Sequence, residues 1–247
     1  MLREWSKKDG PVTLVDVWNI LYRDARIVSL FGNIVSSNRV MSVQSIPCVA
    51  EDVIGSLMLL SQESKDPIKV VINNTGGGVN DGFAIIQAME HVKAKGIEVW
   101  TVNMCQAASM ATVILMMGTR GKRFVLNNTI THLHSGTKGG GGGRPEDVDS
   151  LYEFSKKHFT NTIYKMLLEN TKLPEYWNIK SEAQYSAEQL SKIEIKVKLL
   201  KDFIQGERFL VAEEAVETGV ADRVLMPGDP IIDDIYRTTG SKAGGHV

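Results

Sequence analysis

An α/β fold built around a largely parallel sheet is what this sequence predicts, and three observations carry the prediction. Short β-rich runs, IKVVI at 68–72, IEVWTVN at 97–103 and RFVL at 123–126, alternate with helix-like segments. A chain that leaves a strand through a helix re-enters the same sheet parallel to that strand, so the alternation builds βα units. A glycine turn, Gly76-Gly77-Gly78, stands between the first of these runs and the helix-like segment after it.

The elements come in this order. Residues 12–18 are a short apolar segment, and RIVSLF at 26–31 reads as a strand ended by Gly32. Residues 50–61 predict a helix, because Val53, Ile54, Leu57 and Leu60 recur at helical spacing. A strand over 68–72 leads through the glycine turn into a helix over 80–95. A strand over 97–103, a helix over 110–117 and a strand over 123–126 come next. Residues 145–169 predict a long amphipathic helix, with Val148, Leu151, Phe154, Ile163 and Leu167 on one face. The lysine-rich stretch 188–203 looks helical and reads as a solvated helix. FLV at 209–211 suits a short strand, and residues 212–218 a helix closed by Gly219. The tail after Pro227 ends in glycine, serine and lysine, a composition that reads as disordered.

Composition bounds the function. Of 247 residues, 43% are hydrophobic and 23% charged, an ordinary soluble globular balance. The net charge of −1 gives no footprint for nucleic acid or an anionic membrane. The longest apolar run, 107–117, is too short to span a bilayer. The N-terminus MLREWSKKDG is too polar for a signal peptide. Cys48 and Cys105 fit no zinc spacing and no disulfide framework, so a reducing, cytoplasmic setting is expected. No metal site is expected.

Ser109 lies between the strand-like 97–103 run and the apolar helix-like 110–117 segment. A serine at such a junction projects its hydroxyl into a cleft, and the next backbone N–H lies among the unpaired donors of the helix start. That arrangement suits a nucleophile with half of an oxyanion hole, and equally a small residue packed at a buried turn. No phosphate loop of the Walker type is present: Gly121-Lys122 lacks the upstream glycine spacing and is followed by Arg123.

Three separated segments resemble one family, the second running on from 106–110 into 118–124. INNTGGGV at 72–79 is similar to INSPGGSV, QAASM at 106–110 matches QAASM, and GTRGKRF at 118–124 is similar to GAKGKRY. FLVAEEAVETGVAD at 209–222 resembles FLSAEEAVEYGLVD. The family is ClpP, the proteolytic subunit of ATP-dependent Clp proteases. The resemblance covers about residues 19 to 225, with order and approximate spacing agreeing. It implies a ClpP/crotonase-like fold with a protruding handle helix. The organisation it implies is an N-terminal segment (1–18), a peptidase domain (19–226) and a C-terminal tail (227–247). Within the domain it places the handle at about 136–170 and an insertion at about 172–206.

The resemblance also implies a site. Ser109 takes the position of the family's nucleophile and His134, in NTITHLHSG at 128–136, that of its histidine. His132, two residues away and on the same strand face, is the reserve candidate. The family's acid is Asp, but Glu207 stands at that position here, with Asp202 five residues earlier as a reserve. The N–H groups of Gly77 and Met110 correspond to the oxyanion hole. The run Gly139 to Gly143 falls where the family has a glycine-rich strand that pairs with substrate.

The activity implied by the resemblance is that of a serine endopeptidase working through Ser109, His134 and Glu207 without cofactor. It would sit in homo- or hetero-oligomeric rings, two stacked heptamers, and receive unfolded polypeptides from a separate AAA+ unfoldase. Two alternatives stay open: a catalytically silent ring subunit serving as scaffold, and a crotonase-type enzyme acting on acyl-thioesters.

Overall fold

The computed structural model describes residues 2–5, 13–35, 47–135, 145–182 and 184–238. The chain opens with β1 (Leu2–Trp5) and β2 (Thr13–Asp16), an antiparallel pair, followed by α1 (Val17–Ala25). Then come β3 (Ile27–Val35), β4 (Pro47–Val49), α2 (Ala50–Glu63), β5 (Ile68–Gly77), α3 (Val79–Ala94), β6 (Val99–Ala108), α4 (Met110–Met116), β7 (Arg123–Leu126) and β8 (Ile130–Leu133). The remainder is α5 (Pro145–Asn170), α6 (Leu173–Lys180), α7 (Ala187–Leu190), α8 (Ile193–Ile204), β9 (Arg208–Val211), α9 (Ala212–Glu217), β10 (Arg223–Leu225) and α10 (Pro230–Tyr236).

The main sheet runs β10-β7-β6-β5-β3-β4, and every neighbouring pair in that order is parallel. This is the predicted α/β architecture. Strand β5 begins with five consecutive buried residues because both sheet faces are covered there. Val70 and Ile72 join the larger core with residues of α2, α3 and α4. Val71 faces the other way, into a smaller core with Ala25, Ile27, Val102, Phe124, Leu225 and Ile235.

Several elements outrun their sequence signals. Strand β3 continues through Gly32 (φ 84°) to Val35, with a register irregularity between Gly32 and Ile34. Strand β5 continues past Ile72 through the glycine turn itself, since Asn74 pairs with Gly32 on one side and Ala107 on the other. Partner strands on both flanks override the turn propensity of Asn and Gly. The apolar segment near the N-terminus gives way to α1, which the sequence reading did not separate.

Two expectations change more substantially. The lysine-rich stretch is two helices, and α8 is not a solvated one. It buries Leu199, Leu200, Phe203 and Ile204, while its lysines lie along the remaining surface. Phe203 meets Trp177 edge-to-face at 5.4 Å, which locks α8 onto α6. The stretch after Pro227 carries α10, capped by Asp229 accepting from Ile231 N–H and anchored by buried Ile235. A buried anchor and a cap hold 230–236 as a helix, while the glycine-, serine- and lysine-bearing end, 239–247, on which the expectation of disorder rests, lies outside the described residues.

The long helix α5 forms as expected, but its last turns belong to this chain's own core: Leu167 is fully buried, whereas Phe154 is 64% exposed. The side chains of Val148 and Leu151 and the whole Gly139-to-Gly143 run lie outside the described residues.

Strands β7 and β10 are tied by Arg123 and Asp222. Arg123 Nε donates to Asp222 Oδ2 at 2.9 Å, and Arg123 N–H donates to the same oxygen at 3.0 Å. Burial works to raise the Asp222 carboxyl, but the Arg123 hydrogen bonds and charge outweigh it and hold it below the usual value.

Candidate active site

Ser109 occupies the single residue between β6 and α4, with φ 55° and ψ −122°. A non-glycine residue rarely adopts that conformation, so the surrounding structure must hold it. Three contacts do. Ser109 N–H donates to His132 O at 2.9 Å, and Thr112 N–H donates to Ser109 O at 3.0 Å. The buried Thr112 hydroxyl lies 2.8 Å from both Ala107 O and His132 O, and serves one of them at a time. The outcome is a sharp strand-to-helix turn that leaves the Ser109 side chain part-exposed.

Across the turn stands the end of β5. A Cβ on Gly76 would fall 2.7 Å from Ala108 O and from Ser109 Cβ, so only glycine fits this approach. Gly77 (φ 147°) packs harder still, since a Cβ there would fall 2.1 Å from Ile34 O. Gly76 N–H is held by Asn74 Oδ1 at 2.7 Å. The glycine turn therefore abuts Ser109 and the start of α4, bringing Gly77 and Met110 to the same end of adjacent strands.

Strand β8 pairs with β6 on one edge and, antiparallel, with β9 on the other. Its register sets His132 opposite Phe209 and Leu133 opposite Arg208. The next step of the ladder sets His134 opposite Glu207, and alternation sends His132, His134, Phe209 and Glu207 to one face. His134 Nε2 reaches Ser109 Oγ at 2.8 Å, a hydrogen bond. His134 Nδ1 lies 3.6 Å from Glu207 Oε1, within ion-pair range but beyond a hydrogen bond.

Glu207 Oε2 is in close contact with His132 Nε2, although without the alignment of a hydrogen bond. The His132 ring stacks on His134 (5.1 Å, 26°) and on Phe209 (4.4 Å, 12°). The structure thus brings Ser109, His134, His132 and Glu207 together. Asp202 is not among them. It is exposed on α8, and its charge acts on Lys198.

Sequence reasoning missed three supporting residues: Thr112, Asn74 and Phe209. Phe209 was visible only as a strand residue, and its stacking partner emerges from the antiparallel register. Cys48 does not compete with Ser109 as a nucleophile. Burial, with Asp52 nearby, pushes the Cys48 thiol up to about 12, and Cys105 is exposed on β6. Among the described residues no cluster of His, Cys, Asp and Glu is arranged to hold a metal ion. No helix of the described residues is long and apolar enough to cross a membrane.

Comparison with known proteins places this chain in a family. The chain is 34% identical over 157 residues to the ATP-dependent Clp protease proteolytic subunit of Streptococcus pneumoniae (strain 70585). That alignment spans 63% of this chain and 72% of the relative. The family model described as Clp protease matches residues 22–228, from α1 to just before α10, and with most of its length matched the chain belongs to the Clp protease family.

Proposed function

We propose that this chain is a serine endopeptidase subunit of a Clp-type protease, hydrolysing peptide bonds of unfolded polypeptides. The observation that carries the reading is the 2.8 Å contact of Ser109 Oγ with His134 Nε2 at a strained strand-to-helix turn. A serine packed only for its size has no need of an imidazole aimed at its hydroxyl.

In this scheme Ser109 Oγ attacks the scissile carbonyl carbon while His134 Nε2 takes the hydroxyl proton. The N–H groups of Gly77 and Met110 receive the oxygen of the tetrahedral intermediate. Collapse breaks the C–N bond, and His134 delivers its proton to the leaving amine. Water then adds to the acyl-enzyme with His134 as base, the ester C–O bond breaks, and the proton returns to Ser109. The Glu207 carboxylate stabilises the His134 imidazolium and sets its tautomer. The scheme uses no metal or organic cofactor.

The name of the pneumococcal relative speaks of ATP dependence. Here we assign nucleotide hydrolysis to a separate AAA+ partner, because the sequence carries no phosphate-binding loop motif. The assembly in this reading is a pair of stacked heptameric rings in the cytoplasm, with α5 and its exposed Phe154 on the subunit surface.

One observation favours a catalytically silent ring subunit instead: Glu207 approaches His132 more closely than His134. Turnover of a fluorogenic peptide by the wild type and by Ser109→Ala, with light scattering on both, separates the two. The serine reading expects hydrolysis that falls by roughly 10⁴-fold or more in Ser109→Ala while the oligomer persists. An inert wild-type ring supports the scaffold. Equal turnover by both proteins ends the Ser109 assignment.

A further inference from the structure

A Ser-His-acid mechanism needs one histidine, and this site holds two. Three features set the second one apart. The His132 ring is fixed on both faces, by Phe209 at 4.4 Å and His134 at 5.1 Å. Its backbone oxygen accepts from Ser109 N–H, so its strand position is tied to the Ser109 turn. Its Nε2 is buried and has Glu207 Oε2 against it. Glu207, by contrast, belongs to the link before β9, and its side chain is 62% exposed.

The fixed member of this pair is the imidazole and the mobile one the carboxylate. A glutamate side chain left to itself samples many rotamers and hydrates its charge. A buried ring N–H, in turn, is costly to leave without an acceptor. The carboxylate oxygen against His132 Nε2 is not aligned as a hydrogen bond in this arrangement, and both requirements are met when it turns into line with the ring N–H. The register of β8 and β9 then directs the other oxygen to His134, the cross-strand neighbour of Glu207. The additional methylene of Glu over Asp supplies the reach to span two rings stacked side by side.

We propose that His132 is a positioning residue, whose Nε2–H holds Glu207 Oε2 and so turns Glu207 Oε1 toward His134 Nδ1. This rests on the serine-peptidase reading and deepens it: the acid of this chain is a shared carboxylate seated by a second imidazole. Glu207 thereby acts from a half-open position without the enclosed pocket that a lone triad acid would require.

The test uses the full-length chain and a fluorogenic peptide, with Ser109→Ala as the control for the reading itself. His132→Phe keeps a flat ring on Phe209 and removes the donor. His132→Gln restores an N–H donor. Expected are a kcat loss of about 10-fold or more in His132→Phe with KM within about twofold, and recovery of most of that loss in His132→Gln. In a Glu207→Gln background, His132→Phe is expected to add less than about twofold, because the residue it positions is already disabled. A purely packing role predicts the opposite ranking, with Phe tolerated and Gln not. That ranking overturns the proposal, as does multiplication of the His132→Phe and Glu207→Gln losses. Wild-type turnover that survives Ser109→Ala overturns the peptidase reading and this inference with it.

Discussion

Glu207 Oε1 stands 3.6 Å from His134 Nδ1, while the other nitrogen of that ring bonds Ser109 Oγ. The imidazole is thus flanked by a serine hydroxyl and a carboxylate in the order a Ser-His-acid site requires, with the carboxylate contact the longer of the two. Replacing a fully engaged, buried triad acid by its amide costs about 10⁴-fold in rate. A half-exposed carboxylate at ion-pair distance contributes less. Glu207→Gln is therefore expected to lower kcat/KM by about 10- to 100-fold, and Asp202→Asn to leave it within about twofold. Steady-state kinetics on the two variants checks the ranking, and the reverse order would move the acid to α8.

The backbone of Ser109 stores strain. A side chain at φ 55°, ψ −122° costs on the order of 1–3 kcal/mol, partly offset in a glycine variant by about 0.5–1 kcal/mol of added unfolded-state entropy. Ser109→Gly is expected to raise the thermal midpoint above that of Ser109→Ala while both lose hydrolysis. A calorimetric comparison of the two inactive proteins reads this without interference from turnover.

Asp222 contributes a pH-dependent part of stability. Its folded carboxyl lies below its ordinary value, so in the window between the two the unfolded chain binds the extra proton. The stabilisation is present above the ordinary carboxylate value of about 4 and is lost as pH falls through the lowered folded value. Asp222→Asn leaves Arg123 buried without its charge partner, at an expected cost of about 3 kcal/mol at pH 7. Urea midpoints at pH 7 and pH 3 are expected to differ less in the variant than in the wild type.

Helix α8 supports the position of Glu207 through Phe203. Arg208 Nε donates to Phe203 O at 2.7 Å, and the Arg208 guanidinium lies 4.5 Å over the Trp177 ring. Glu207 is the residue just before Arg208, so the packing of α8 sets where Glu207 stands. Phe203→Ala is expected to cost about 3–5 kcal/mol and to lower kcat as well. Ile193, exposed on the same helix, is expected to tolerate alanine in both assays.

The sequence was legible where a signal is local. The alternation of β-rich and helical runs predicted the parallel sheet, and the strand-to-helix position of Ser109 predicted its turn. Resemblance then brought in His134 and Glu207. Pairing could not be read. That Glu207 faces two histidines is a consequence of the β8–β9 register, which no spacing along the chain encodes. The burial of α8 was hidden because its lysines dominate the composition, although Leu199, Leu200, Phe203 and Ile204 share one face. Gly76 reads as the start of a turn, yet strand partners at Asn74 and Gly77 keep it in β5.

The central claim is that Ser109 is an activated nucleophile in this chain. Labelling of the purified full-length protein with a fluorophosphonate probe, followed by peptide mass spectrometry, tests it most directly. An activated Ser109 predicts a covalent adduct at that residue that disappears in His134→Ala. A folded, oligomeric protein with no adduct at Ser109 would contradict it.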